Sequence, residues 1–187
     1  MRKAPLTLTL ISSAALALAA CSGHSAQVAL AAAQQAATAP ASLPDVLDNA
    51  DGLQTVAEAL KVTGVATAFK GRASYTLLAP EDGAFAAAGD PDNKLMAPGD
   101  HTALAALIKD HILPGRVTPR DINAAIDASP DGQVTMSSLG GEELTFTRSG
   151  KTITVTAPDG SGAQFDGEPV IGGSSIAIPI TSVLNQA

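Results

Sequence analysis

Between Leu144 and Thr156 the chain alternates with a period of two: Leu144 and Phe146 against Thr145 and Thr147, then Ile153 and Val155 against Thr152, Thr154 and Thr156. Residues i and i+2 share one face of a strand, so this pattern demands two strands, each with one apolar and one hydroxylated face. Ser149-Gly150 supplies the turn that joins them into an antiparallel hairpin. Gly140-Gly141 and Asp159-Gly160 mark further turns, and strands are expected at Val170-Ile171 and from Ile176 to Leu184.

The first half of the chain has a different period. Val46, Leu47, Leu53, Val56, Leu60 and Val65 recur close to one helical face, with Gly52 and Gly64 as breakers, which predicts two short helices. Tyr75 to Leu78 reads as a short strand stopped by Pro80. A further helix follows Asp100 as its cap, carries Leu104, Leu107, Ile108 and His111 on one face, and ends at Pro114-Gly115. Thr118-Pro119-Arg120-Asp121 combines a cap residue, a proline at the first helical position and an acid three residues after the cap, opening a helix to about Ile126. Helices gathered before strands imply an α+β domain, here an antiparallel β-sandwich or wedge flanked by short α-helices.

Ahead of this domain the sequence carries an address. Arg2 and Lys3 precede an apolar run from Leu6 to Ala20, too short for a permanent span of roughly twenty residues and suited to a signal peptide. Leu18-Ala19-Ala20-Cys21 then has the small-residue pattern that lipoprotein signal peptidase reads, and Cys21 is the only cysteine of the chain. Residues 1–20 are therefore read as a lipoprotein signal peptide and Cys21 as the lipidated first mature residue, which explains a lone thiol in an exported protein. Residues 21–42 are rich in Ala, Gln, Ser and Thr and too poor in large apolar side chains to build a core, so they read as a flexible tether to a domain spanning 43–187. Ser22, where an aspartate would favour inner-membrane retention, points to the outer membrane of the cell envelope.

Charge and chemistry exclude several functions. Removing residues 1–20 takes away Arg2 and Lys3 and no acid, moving the formal charge from −7 to −9. Nucleic acid is not an expected partner, because phosphate binding needs clustered cations and the basic residues here are scattered. No nucleophile elbow, Ser-x-x-Lys or phosphate-cradling glycine loop occurs, so neither catalytic residues nor a cofactor is expected. No metal is expected either: His24 lies in the tether, and His101 and His111 stand about 15 Å apart along a helix. Asp90-Pro91-Asp92-Asn93 makes a poor calcium loop and reads as a surface turn. His111, on the apolar face of its helix, reads as a buried imidazole tying helix to sheet by a hydrogen bond. Asp82 reads as a cap for the helix carrying Phe85.

Two stretches carry a family resemblance. Tyr75-Thr76-Leu77-Leu78-Ala79-Pro80-Glu81-Asp82-Gly83-Ala84-Phe85 resembles the first signature of the fasciclin domain, and Leu107 to Ile122, with His111, Pro114-Gly115 and Asp121-Ile122, resembles the second. The likeness extends over about residues 43–185 and implies Thr76, Pro80, Asp82, Phe85, His111 and Gly115 as motif residues of structural weight. It implies a non-enzymatic, membrane-anchored bacterial lipoprotein that mediates cell adhesion or contacts a surface protein, with a carrier of an apolar small molecule as the alternative. The chain departs from the pattern at Asp110, where the family has Tyr before His, and at Ile178 and Thr181, where the closing strand has His and Asp. The Tyr-His neighbourhood serves integrin binding in animal relatives, so Asp110 argues against that epitope here. On this reading Lys109, Asp110, Arg116 and Arg120 form the exposed partner-binding side, with Leu107, Ile108 and His111 facing inward.

Overall fold

The computed structural model describes residues 41–88 and 101–184. The stretches read as a signal peptide with its lipobox, a tether up to Pro40, a cap at Asp100 and a turn at Asp90–Asn93 lie outside them. The second half folds as its alternation demands. Strands β3 (Gln133–Ser137), β4 (Glu143–Ser149), β5 (Thr152–Thr156) and β6 (Gly162–Gln164) form an antiparallel meander in the order β3-β4-β5-β6. Leu144, Phe146, Ile153 and Val155 are buried on one face, and Thr145 lies opposite Thr156 and Thr147 opposite Thr154 on the other.

The other sheet has the order β2-β1-β8-β7, with β1 at Tyr75–Pro80, β2 at Ile112–Pro114, β7 at Val170–Gly172 and β8 at Ser175–Ile180. Its outer pairs are antiparallel, but its central pair, β1 with β8, runs parallel from Thr76 opposite Ile176 to Pro80 opposite Ile180. The antiparallel expectation holds everywhere except at this pair, and burial gives the reason. Leu77, Ala79 and Ala177 face a core built with helices, while Leu78, Ile178 and Ile180 face a second core shared with the meander. Strands covered on both faces read as unbroken apolar runs, the usual state of parallel strands, and hide the period-two signal.

β8 is also shorter than the expected Ile176–Leu184. At Thr181 the chain turns aside: its N–H donates to the Gln164 carbonyl (3.0 Å) and its hydroxyl accepts from the Gln164 N–H (3.1 Å).

Helices α1 (Leu43–Leu47) and α2 (Gln54–Val62), a 3-10 helix (Val65–Lys70), α3 (Asp82–Ala87) and α4 (Thr102–Asp110) contribute to the first core. Helix α5 (Pro119–Ala128) buries Ile122 and Ile126 in the second. Gly52 and Gly64 take φ of 78° and 73°, a region glycine enters without steric cost, and so break the helical run where the sequence placed the breaks. At Gly172 an added Cβ would lie 2.4 Å from the Leu43 Cα, so α1 rests backbone to backbone on β7. Helix α4 starts at Thr102, with His101 in the cap position.

Asp82 caps a helix other than its own. The cap position of α3 is Glu81, whereas the Asp82 Oδ1 accepts from the Thr55 N–H (2.7 Å) in the first turn of α2, 27 residues earlier. The Asp82 N–H in turn donates to the Gly52 carbonyl (2.8 Å). Helix α2 needs this help because its own cap residue, Leu53, is spent on the core at 3% exposure and offers no acceptor. Replacing Asp82 with Ala is expected to cost about 1 kcal/mol of stability. The same change should speed hydrogen exchange at the Thr55 amide, and Asp82→Asn should recover most of both losses; thermal melts and amide exchange by NMR read the two effects.

Candidate functional site

His111 follows the last turn of α4 and is 1% exposed. Its Nδ1 lies 2.8 Å from the Leu107 carbonyl and its Nε2 lies 3.0 Å from the Leu184 N–H. An amide N–H is always the donor, so Nε2 accepts and the ring proton sits on Nδ1, donating to Leu107. The His111 carbonyl also accepts from the Leu78 N–H of β1 (2.8 Å). One residue thus holds the end of α4, the centre of β1 and the segment after β8. The ring's tie runs to that C-terminal segment, while the tie to the sheet is made by the backbone.

Thr76 does comparable work at the other end of β2. Its hydroxyl, fully buried, donates to the Gly115 carbonyl (2.9 Å) and accepts from the Val117 N–H (2.7 Å), and the Gly115 N–H donates to the Ser74 carbonyl (2.9 Å). Gly115 has φ 87°, which lets the chain reverse there. Thr118 and Asp121 then form the expected capping box: the Asp121 carboxylate accepts from the Thr118 N–H (2.9 Å) and hydroxyl (2.7 Å). Arg116 stands exposed on this pinned loop and Arg120 stands exposed in the first turn of α5.

Lys109 and Asp110 lie elsewhere. The Lys109 carbonyl accepts from the Gly140 N–H (3.1 Å), and the Asp110 carboxylate is packed so closely on Gly140 that a Cβ there would meet its Oδ1 at 1.7 Å. Asp110 is half-buried against that turn rather than on the exposed face. The three residues of β2, about 10 Å of strand, separate the two pairs. The four residues grouped by sequence therefore form two surfaces, one at each end of β2. Of the other motif residues, Phe85 is 3% exposed in the helical core and Pro80 ends β1. At the departures from the family pattern, Ile178 is 1% exposed in the second core and Thr181 is occupied by Gln164.

A cleft of about 320 Å³ lies at the far end of β1, between Ala50, Asp51 and Leu53, Glu81, the Gly167–Val170 segment and Pro179. Its lining joins the buried Leu53 and Pro179 to the carboxylates Asp51, Glu81 and Glu168, of which Asp51 and Glu168 are exposed. The sequence reading missed these residues. They come from segments more than a hundred positions apart, and a carboxylate in a turn next to glycine looks like any solvated turn.

The fasciclin domain model matches residues 51–171. Among solved structures the chain is similar to a FAS1 domain pair of the insect cell adhesion molecule fasciclin I, with a TM-score of 0.56 and 19% identity over 71% of this chain and 45% of that one. The chain thus spans less than half the length of that structure. No curated protein is matched.

Burial pushes the His111 pKa below its ordinary value of 6.5, against the opposing pull of the Leu107 hydrogen bond and the Asp110 charge. Below about pH 6.5 the unfolded chain therefore takes up the proton before the folded chain does, so this contribution is intact above that pH and is lost as pH falls through the folded value. The Asp45 and Asp121 carboxylates, held below 3.8 by hydrogen bonds from Ser42 and Thr118, weaken the fold only in a separate, more acidic window. The melting temperature is expected to fall between about pH 7 and pH 5, and His111→Gln, about 1–3 kcal/mol less stable at neutral pH, should show a flatter profile over that range. Thermal melts across the series read both.

Proposed function

This chain belongs to the fasciclin domain family, and from that membership we propose that it is a non-enzymatic lipoprotein of the bacterial cell envelope that mediates adhesion or surface protein contact through the loop from Gly115 to Arg120. The observation that carries the reading is that this loop is both rigid and charged. Thr76 and Ser74 fix its backbone from the strand side, Thr118 and Asp121 from the helix side, and Arg116 and Arg120 project from it. A rigid loop loses little conformational entropy when a partner docks. The side chains that would be candidates for acid–base chemistry are occupied structurally: His111 by Leu107 and Leu184, Asp82 by Thr55, Asp121 by Thr118. The similar insect domain pair comes from a cell adhesion molecule, which supports the same role.

Attachment to the membrane follows from Cys21, with outer-membrane sorting suggested by Ser22. Among the described residues no helix is long and apolar enough to cross a membrane.

Cys21→Ser is expected to shift the protein from the detergent phase to the aqueous phase in Triton X-114 partitioning; equal partitioning of mutant and wild type would remove the lipid anchor from this account. For the contact surface, replacing Arg116 and Arg120 together with glutamate should weaken cell attachment with circular dichroism unchanged. Raised salt should weaken the wild type in the same direction, since exposed charges act through a screened field. A folded double mutant that attaches like wild type at low salt would reject this loop as the contact.

A further inference from the structure

A group of exposed arginines and a group of carboxylates lie at opposite ends of strand β1, the exposed Asp121 carboxylate, engaged with Thr118, standing beside the arginines. At its beginning, Arg72, Arg116 and Arg120 are exposed, and the segments bearing them are stitched together by the bonds from Gly115 to Ser74 and from Val117 to Thr76. At its end, Glu81 follows the strand directly, with Asp51 and Glu168 around the same cleft, and no basic residue lines it. Six residues of strand, about 20 Å, separate the two ends. None of these six charges is a member of the ion pairs Lys61 with Asp48 and Arg148 with Asp127, and Arg120 acts on the neighbouring Asp121 through its field alone.

We propose that the chain binds a second copy of itself end to end, the Arg116 and Arg120 loop of one copy seating in the cleft edged by Asp51, Glu81 and Glu168 of the next. The chemistry of the two ends is complementary. Ala50, Leu53, Val170 and Pro179 give an apolar floor for the methylene stem of an arginine, and the carboxylates at the edge accept its planar guanidinium fork. The remainder of the chain acts as an orienting constraint. With a formal charge of −7, or −9 once residues 1–20 are removed, two copies repel in most orientations, and juxtaposing opposite ends is the approach that gains attraction. Because the two ends differ and point away from each other, each copy can engage two neighbours, a head-to-tail contact that extends in a row instead of closing into a symmetric dimer. The contact is small beside the roughly 800 Å² per partner of a stable interface, so it is weak in solution and gains strength where many copies are tethered on one surface. The proposal rests on the surface-interaction reading and names a partner for its loop.

The test is sedimentation velocity over a concentration series, on the full chain carrying Cys21→Ser in an uncharged detergent. The expected result is a faster species that grows with concentration at low ionic strength and disappears at high salt. Reversing either end alone, Arg116→Glu with Arg120→Glu or Asp51→Lys with Glu168→Lys, should leave a single slow species, and mixing the two reversed variants should restore the faster one. A wild-type chain that stays monomeric at low salt overturns the proposal. So does association that survives either reversal, which would move the contact to another face, or a mixture that fails to associate. If attachment to cells depends on Arg116 and Arg120 while the chain stays monomeric, the adhesion reading stands and only the second copy as partner is lost.

Discussion

The parallel pair of β1 and β8 carries the fold. Every residue of β8 and all but Tyr75 of β1 are buried, and the pair serves as the wall between two cores, one closed by helices and the other by the meander and α5. A wall with no wet face leaves its polar groups no water to bond, so each must find a partner in the protein. Thr76 finds Gly115 and Val117, and the fully buried Ser175 hydroxyl accepts from the Tyr75 N–H (3.0 Å). Pro179 in mid-strand is tolerated for a related reason. Its carbonyl accepts from the Asp166 N–H (3.0 Å), which puts the nitrogen that lacks a proton on that same side, away from β1, so the ladder to β1 loses no bond.

Those obligations shape the surface. The Gly115–Val117 loop is pinned because Thr76 inside the wall needs it, and the arginines of the loop inherit a fixed position. The turn at Gly52 is held because the Asp82 backbone, one step beyond β1 and Glu81, bonds to it, and Asp51 and Glu81 become neighbours of one cleft. Arg72 and Arg116 lie near the start of β1 and Asp51 and Glu81 near its end because a single buried strand carries the chain from one loop to the other.

His111 shows how a residue capable of acid–base chemistry is committed to structure instead. Both ring nitrogens and the carbonyl are bonded, and burial keeps the ring neutral. A protonated ring would turn Nε2 from acceptor to donor opposite the Leu184 N–H and leave two donors facing each other. The same geometry that makes it unsuited to acid–base work makes it a strong tie between α4, β1 and the C-terminal segment.

Much of this was legible in the sequence. Alternation over Leu144–Thr156, the glycine breaks at 52 and 64 and the Thr118–Asp121 capping box are local devices, governed by residues a few positions apart, and the chain states them directly. The burial of His111 was also readable, because its helical face carries Leu104, Leu107 and Ile108. Other features depend on which segments meet, and no local pattern encodes that. Asp82 reads as a cap for the nearest helix, yet caps α2 because folding brings Thr55 within 2.7 Å. Asp110 reads as an exposed neighbour of Lys109, yet packs on Gly140 from a distant turn. β1 and β8 lie a hundred residues apart, and burial on both faces erases the alternation that would have announced their direction. The sequence by itself determined the central hairpin, the glycine breaks, the Thr118–Asp121 cap and the class of fold, since those follow from period and backbone preference; the tertiary structure alone decided the short strand at Ile112–Pro114 where a helix was expected to run on, the parallel pairing, the partners of the buried polar groups and the placement of the charges, because long-range contact is settled by the packing of the whole core.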